Sequence, residues 1–284
     1  MTVLTVAKKD FRDAVQSRAL WGLIATFVLL SMFSSYAYVS VPQLFGEPGG
    51  ATFAGLVMFT VGLTGLFVPL AAIVVCYKSV AGERELGSIK LLLSLPTTRR
   101  AVFAGKVIGR AVVLSFGLGV GLLIGLGFGG ILLGTVDPVV TLGFLFVTLV
   151  FATAYASIMV SLSAITGSTT RATTLALGFF VIFELFWDAV PLAILYVIGG
   201  FSLPTQMPDW VYPITQLSPS SAYLSSVITL FPDLMTETGS ATVEATAMSA
   251  DPFYFTPAVG LVALVFWLVA PLLVGYVRFN SSDL

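Results

Sequence analysis

KSVAGERELGSIKLLLSLPTTRRAVFAGKVIGR, residues 78–110, carries seven of the thirteen Lys and Arg residues of a 284-residue chain. On either side of it the sequence is almost continuous hydrocarbon. Between Ser79 and Leu93 the apolar residues Val80, Leu86, Ile89 and Leu93 recur near helical spacing, while Glu83, Arg84, Glu85 and Lys90 take much of the remaining surface. This pattern predicts an amphipathic helix, too short and too charged to cross a bilayer. Ser94-Leu95-Pro96 stops it, because proline has no N–H for a continuing helix and its ring crowds the preceding turn. A second helix is predicted from Thr97 or Thr98, with Arg99, Arg100, Lys106 and Arg110 at headgroup height before an apolar run from Ala111. The stretch reads as a helix on the cytoplasmic surface followed by a basic ramp into the membrane.

Working outward, 57% of residues are hydrophobic and 10% charged, and the mean hydropathy is +1.02. Such a composition excludes a soluble globular domain and predicts an all-α polytopic membrane protein. The chain has no histidine and one cysteine, Cys76. Disulfide frameworks, thiolate-rich metal sites and His-dependent catalysis are thereby excluded.

Six spans of roughly twenty residues can be drawn. They run from Leu20 to Val41, Thr52 to Tyr77, Ala111 to Gly134, Val139 to Ile165, Ala172 to Val190, and Pro257 to Val277. Residues 1–19 precede them with Lys8, Lys9, Arg12 and Arg18, and with Leu4, Ala7, Phe11 and Val15 on one stripe, which predicts an interfacial helix. A cleavable signal peptide is the alternative. It is disfavoured because the run from Leu20 is long enough to span and no small-residue cleavage site follows. The turns at Thr135-Val136-Asp137-Pro138 and at Gly167 to Arg171 make tight hairpins.

With both termini in the cytoplasm, all thirteen Lys and Arg residues fall on the inner side. The outer side holds Glu47, Asp137, Asp209, Asp233, Glu237, Glu244 and Asp251 and no basic residue. This distribution follows the positive-inside rule for a multi-pass protein of the cytoplasmic membrane. The large external segment, residues 202–256, is rich in Pro, Ser and Thr, and Ser218-Pro219-Ser220 signals a short helix within 217–231. An acidic exterior without lysine looks haloarchaeal, although the positive-inside bias alone also strips an exterior of bases.

The order Glu83-Arg84-Glu85-Leu86-Gly87-Ser88-Ile89, then Leu91-Leu92-Leu93-Ser94-Leu95-Pro96, then Arg99 and Gly105-Lys106, resembles a segment of type-2 ABC transporter permeases. That segment lies between the second and third membrane helices of the family. The family usually reads acidic-x-x-Gly-Thr, Leu-Leu-Ser-x-Pro, Arg and Gly-Lys; here Ser88 stands where Thr is commoner. The resemblance implies one permease domain over residues 1–284, an elbow helix at the N-terminus and a coupling helix within 78–110. Glu83, Arg84, Glu85, Gly87, Ser88, Pro96 and Arg99 would be its ATPase-coupling residues. It also implies two copies of a separate ATPase subunit holding ATP and Mg²⁺, and a second permease copy or related chain. The chain itself would bind no cofactor or nucleic acid, would not be an enzyme, and would mostly serve export. Family members move lipids, glycans, peptides and drugs, or serve metalloenzyme maturation. The lack of histidine and the scattered methionines favour an organic cargo over copper.

Three features within the membrane are candidates for function. Gly117, Gly121, Gly125 and Gly129 recur every four residues in span three, with Gly105 and Gly109 in register below them. Such a ridge lets another helix approach closely, either within one subunit or at a subunit interface or substrate path. Glu184 and Asp188 lie four residues apart in span five, expected on one helical face in the outer half of the membrane. A carboxylate at depth costs on the order of 2.5–3.5 kcal/mol. Protonation, a cation, or hydrogen bonds from Ser, Thr or Tyr must compensate, and the pair reads either as a structural cluster, with Trp187 as an interfacial anchor, or as a substrate or ion contact. Ser157 and Ser161, with Thr153 before them, line one face of span four. Hydroxyls there mostly bond backbone or glue helices together, with direct substrate contact as the lesser reading.

No G-x-x-x-x-G-K-[ST] is present, since Gly105-Lys106 is followed by Val107, so any ATP-driven work needs a partner. Without histidine neither a rhomboid-like serine protease nor an H-E-x-x-H metalloprotease is possible. An ion- or proton-coupled secondary carrier working through Glu184 and Asp188, and a non-transporting scaffold, remain as alternatives. The carrier predicts inverted repeats, which the unequal loop lengths do not support.

Overall fold

The computed structural model describes residues 2–41, 51–89, 97–202, 208, 210–234 and 258–281. Pro96, Lys90 and Leu93 lie outside these, as does much of the 202–256 segment. Most of the described residues are helical, with no strand among them. Five helices are long and apolar enough to cross a membrane, and a sixth crossing is made if one bent pair counts as a span.

Helix α1 (Val3–Val15) is capped by Thr2, and α2 (Arg18–Ser40) by Ser17. Ser17 Oγ also donates to Ala14 O at 2.7 Å, and Trp21 Nε1 donates to Val15 O at 3.1 Å, so the elbow between the two helices is closed by side chains. The buried face of α1 is Val6, Ala7, Asp10 and Ala14, with Leu4 75% exposed. Of the stripe expected from Leu4, Ala7, Phe11 and Val15, Ala7 is buried and Phe11 and Val15 pack against the protein, while Leu4 does not. Small residues and a paired Asp10 turn toward the protein, and Leu4 faces away.

Helix α3 (Phe53–Cys76) runs into a turn and then α4 (Ala81–Glu85). The helix expected over 79–93 is interrupted: α4 is five residues long, and Ser88 and Ile89 turn helical again beyond the break, with 90–93 outside the described residues. Gly87 ends α4 with φ +69°, a left-handed conformation that a side chain would strain. Val80 and Ile89 are buried as expected, but Leu86, expected on the same face, is 84% exposed.

Helix α5 (Arg99–Leu133) begins at the Thr98 cap and carries the basic ramp and span three as one continuous rod. Gly134 ends it at φ +72°, and Asp137 caps α6 (Pro138–Ile165), accepting from Val139 and Val140 N–H groups. Helix α6 is the axis of the bundle: Phe144, Phe151, Ala152, Tyr155, Ala156, Met159 and Val160 are wholly buried. Around it stand α3, α5 and three later helices: α7 (Thr169–Phe180), α10 (Pro219–Leu230) and α11 (Ala258–Asn280).

Span five departs from expectation. Instead of one helix over 172–190, α7 passes into a π turn, Val181–Leu185, and then bends by 65° into α8 (Ala189–Ile198). Pro191 in the first turn of α8 offers no N–H to the carbonyl of residue 187 and crowds it, so α7 cannot continue straight through. A short helix α9 (Val211–Thr215) follows, then α10, capped by Ser218 as the Ser-Pro-Ser signal predicts. Helix α10 does not lie on an outer surface: Ala222, Tyr223, Ser226 and Val227 are fully buried against α3, α6 and α11.

The glycine ridge of α5 is where α1 and α2 lie. A Cβ at Gly105 would stand 2.6 Å from the Val6 Cβ, one at Gly109 2.8 Å from the Asp10 Cβ, and one at Gly121 2.5 Å from the Phe27 Cβ. At Gly125 it would overlap Ser31, and at Gly129 Leu56. The close approach lets Ser31 Oγ donate to Gly121 O at 2.6 Å and Ser35 Oγ to Gly125 O at 2.9 Å. Of the readings open for the ridge, this geometry matches packing within one subunit.

Candidate functional site

At the basic end of the bundle, α4 has five residues and no side-chain cap of its own. Such a fragment has no intrinsic helical stability, so it is held from outside. Ser163 near the end of α6 does this: its hydroxyl accepts from Val80 N–H at 3.2 Å and Ala81 N–H at 3.0 Å and donates to Tyr77 O at 2.7 Å. The three consecutive charges of α4 each reach a different helix. Glu83 pairs with Lys106 of α5 at 2.7 Å, Arg84 Nη1 donates to Ala164 O of α6 at 3.0 Å, and Glu85 accepts from Thr169 N–H at the start of α7 at 2.8 Å. Hydrogen bonds from the Thr169 hydroxyl and N–H hold the exposed Glu85 carboxyl below its usual range. Ser88 Oγ donates to Glu83 O at 3.3 Å.

Four further basic residues of the stretch, Arg99, Arg100, Lys106 and Arg110, are also engaged. Lys106, expected at headgroup height, is 3% exposed beneath Glu83. Arg99 Nη1 donates to Asn280 O at 2.8 Å, capping the end of α11, and Arg100 Nε donates to Tyr276 OH at 2.6 Å. Arg110 faces Asp10 of α1, with Nη2 donating to Oδ1 at 3.2 Å and Nε 2.9 Å from Oδ2, off the hydrogen-bond axis. Its Nη1 donates to Val75 O at 3.1 Å. Glu83, Glu85 and Arg99, read as coupling residues, thus bind other parts of this chain. Next to the exposed Glu85, the C-cap residue Leu86 also turns its side chain outward.

Ser163 and Asp10 were not legible as functional positions: one is a serine among several in an apolar helix, the other an acid among bases. Ser163→Ala leaves two buried N–H groups and a carbonyl without their partner, and a loss of about 1–3 kcal/mol is expected. Thermal unfolding of the purified chain checks it, and an unchanged melting temperature would contradict the pinning described here.

In the opposite half of the bundle, the π turn carries Glu184. Widening the helix by one residue turns its carboxylate inward, where Tyr155 OH of α6 and both the hydroxyl and N–H of Ser220 of α10 donate to it. Glu184 borders a cleft of about 260 Å³ between α3 and α10. Asp188 is exposed at the bend and caps α8 without a side-chain bond, so the two carboxylates expected on one face have different hydrogen-bond surroundings, although the charge of Asp188 still acts on Glu184. Trp187 stacks on Phe183 at 4.8 Å and donates from Nε1 to Ile214 O at 2.7 Å. It is held between Phe183 and the backbone of α9. Phe183 in turn packs on Phe179 at 4.5 Å and edge-on to Trp267 at 5.0 Å.

Two of the three hydroxyls of span four are occupied by structure: Ser157 Oγ donates to Leu268 O of α11 at 2.9 Å and Thr153 Oγ1 to its own helix at Leu149 O. Ser161 Oγ is buried where α11 approaches at Gly275, with no hydrogen-bond partner among the described residues. None of the three borders the Glu184 cleft.

Residues 4–284 match the family described as ABC-2 family transporter protein. The chain is 27% identical over 229 residues to the probable ABC transporter permease protein NosY of Pseudomonas aeruginosa, covering 78% of this chain and 79% of that one. It is 26% identical over 235 residues to the probable ABC transporter permease protein NosY of Stutzerimonas stutzeri, with the same shares covered.

Proposed function

From the premise that this chain belongs to the ABC-2 transporter family and is the membrane permease subunit of an ABC transporter, we propose that it works in export, driven by ATP hydrolysed on a separate ATPase. The basic end of the bundle, and with it both termini, faces the cytoplasm, and the membrane is the cytoplasmic one. Two ATPase subunits, which hold ATP and Mg²⁺, dock at residues 78–110, and a second permease copy or related chain completes the pathway.

The observation that carries the coupling role is the attachment of α4. Glu83, Arg84 and Glu85 tie it to α5, α6 and α7, and Leu86 beside them stands 84% exposed. A soluble partner that grips Leu86 moves the starts or ends of three spanning helices together, as a rigid-body tilt requires. The acidic residues are then transmitters and the apolar tip is the docking contact. This division of labour amends the expectation that the carboxylates meet the ATPase.

The test is co-expression with a soluble ABC ATPase and purification in detergent. Leu86→Asp is expected to reduce ATPase recovery at least tenfold with the melting temperature of the permease unchanged, because no packing is lost with an exposed side chain. Full recovery of the ATPase with Leu86→Asp would remove the docking assignment, and no binding by the wild type would remove the partner itself.

A further inference from the structure

We propose that the cleft beside Glu184 is a binding site for a monovalent organic cation with a small apolar body. The inference rests on the permease reading and names the class of cargo that reading leaves open.

Glu184 lies within a segment whose neighbours are apolar, and among the described residues no Lys or Arg forms an ion pair with it. Tyr155 and Ser220 donate to it, which orients the carboxylate and leaves acceptor capacity toward the cleft. The walls suit an amphipathic guest. Ser220 and Ser221 supply hydroxyls next to the carboxylate, and Gly65, Leu66 and Leu224 supply apolar surface. Gly62, on the α3 side, has open space where a Cβ would stand, so the wall is left low at that point. A hard divalent metal is poorly served here. It takes several oxygen ligands of which more than one is usually charged, and among the described residues no group of three His, Cys, Asp or Glu side chains comes together. One carboxylate in a low-dielectric cleft matches one positive charge, and the apolar walls match a hydrocarbon group beside it.

The site is built from a deliberate irregularity. A regular helix would not place residue 184 as the π turn does, and π turns recur where a side chain has a task. The turn sits beside the 65° bend, and a guest seated in the cleft contacts α3, α10 and, through Glu184, the first piece of the broken span.

The probe is radiolabelled benzyltrimethylammonium, whose charge is fixed at every pH, measured by equilibrium binding to the full-length permease in lipid nanodiscs. Its neutral isostere neopentylbenzene, with carbon in place of nitrogen, tests the need for charge. The wild type is expected to bind the cation, with the isostere competing at least tenfold less well. Glu184→Gln is expected to weaken binding at least tenfold, and Gly62→Leu, which fills the cleft and leaves Glu184 and its partners in place, to do the same. Should Glu184→Gln fail to fold by its melting curve, Gly62→Leu decides alone. Absence of binding to the wild type, equal competition by the isostere, or wild-type affinity in the folded variants overturns the proposal. ATPase recovery measured on the same preparations separates the two readings: lost cation binding with ATPase still bound sinks the cargo class alone, whereas lost ATPase binding sinks the permease mechanism.

Discussion

Gly121→Leu is expected to prevent α2 from seating on α5 and to abolish most of the folded, monodisperse protein. The Cβ alone would stand 2.5 Å from the Phe27 Cβ and 2.9 Å from the Phe27 backbone carbonyl carbon. Backbone cannot move aside as a flexible side chain can, so the helices must separate. That separation breaks the bonds from Ser31 to Gly121 and from Ser35 to Gly125, and overpacking of this kind costs about 3 kcal/mol or more. Gly127 lies on the same helix with nothing within 4 Å of its Cβ position. Gly127→Leu is therefore expected to melt at or slightly above the wild-type temperature, since leucine is the better helix former. Equal melting temperatures for the two variants would contradict the assignment of the ridge to the α2 contact.

Glu83→Ala is the second large effect. Lys106 is 3% exposed and its ammonium lies 2.7 Å from Glu83, so removing the carboxylate strands a buried positive charge. Losses of about 3 kcal/mol are typical when one partner of such a pair is deleted. Lys106→Met in the same background removes the stranded charge and is expected to recover most of the stability, because the methionine fills the slot with apolar volume. The link from α4 to α5 is still missing in the double variant. It is expected to fold normally yet to show ATPase turnover that no longer responds to the permease. A double variant with both wild-type stability and wild-type coupling would show that the pair is a packing device only.

Fold class was open to reading because the bilayer imposes a one-dimensional rule. Long apolar runs must become helices to satisfy their backbone groups, and the boundaries of α2, α3, α6 and α11, with the end of α5, fall close to where the runs begin and end. Local capping chemistry was also legible: Thr98, Asp137 with Pro138, and Ser218 with Pro219 each start a helix where their residue types require. Three features were not, and each depends on partners distant in sequence. The shortness of α4 follows from the left-handed Gly87 and from anchors more than twenty residues away. The burial of Asp10 on α1 follows from its meeting Arg110 a hundred residues later. The π turn at Glu184 depends on Tyr155 and Ser220, on two different helices.

The chain by itself therefore determined an all-α, multi-pass protein with its basic residues gathered at one end, and the motif of residues 78–110 marked its family. Hydrophobicity, charge and caps act over a few residues, and a reader of the sequence sees the same few residues. Only the tertiary structure decided which charges in that motif are bound and that Leu86 is left outward. It also decided which helix the glycine ridge receives, and that Glu184 faces a cleft while Asp188 does not. Those outcomes arise from contacts between elements, whose geometry no local pattern encodes.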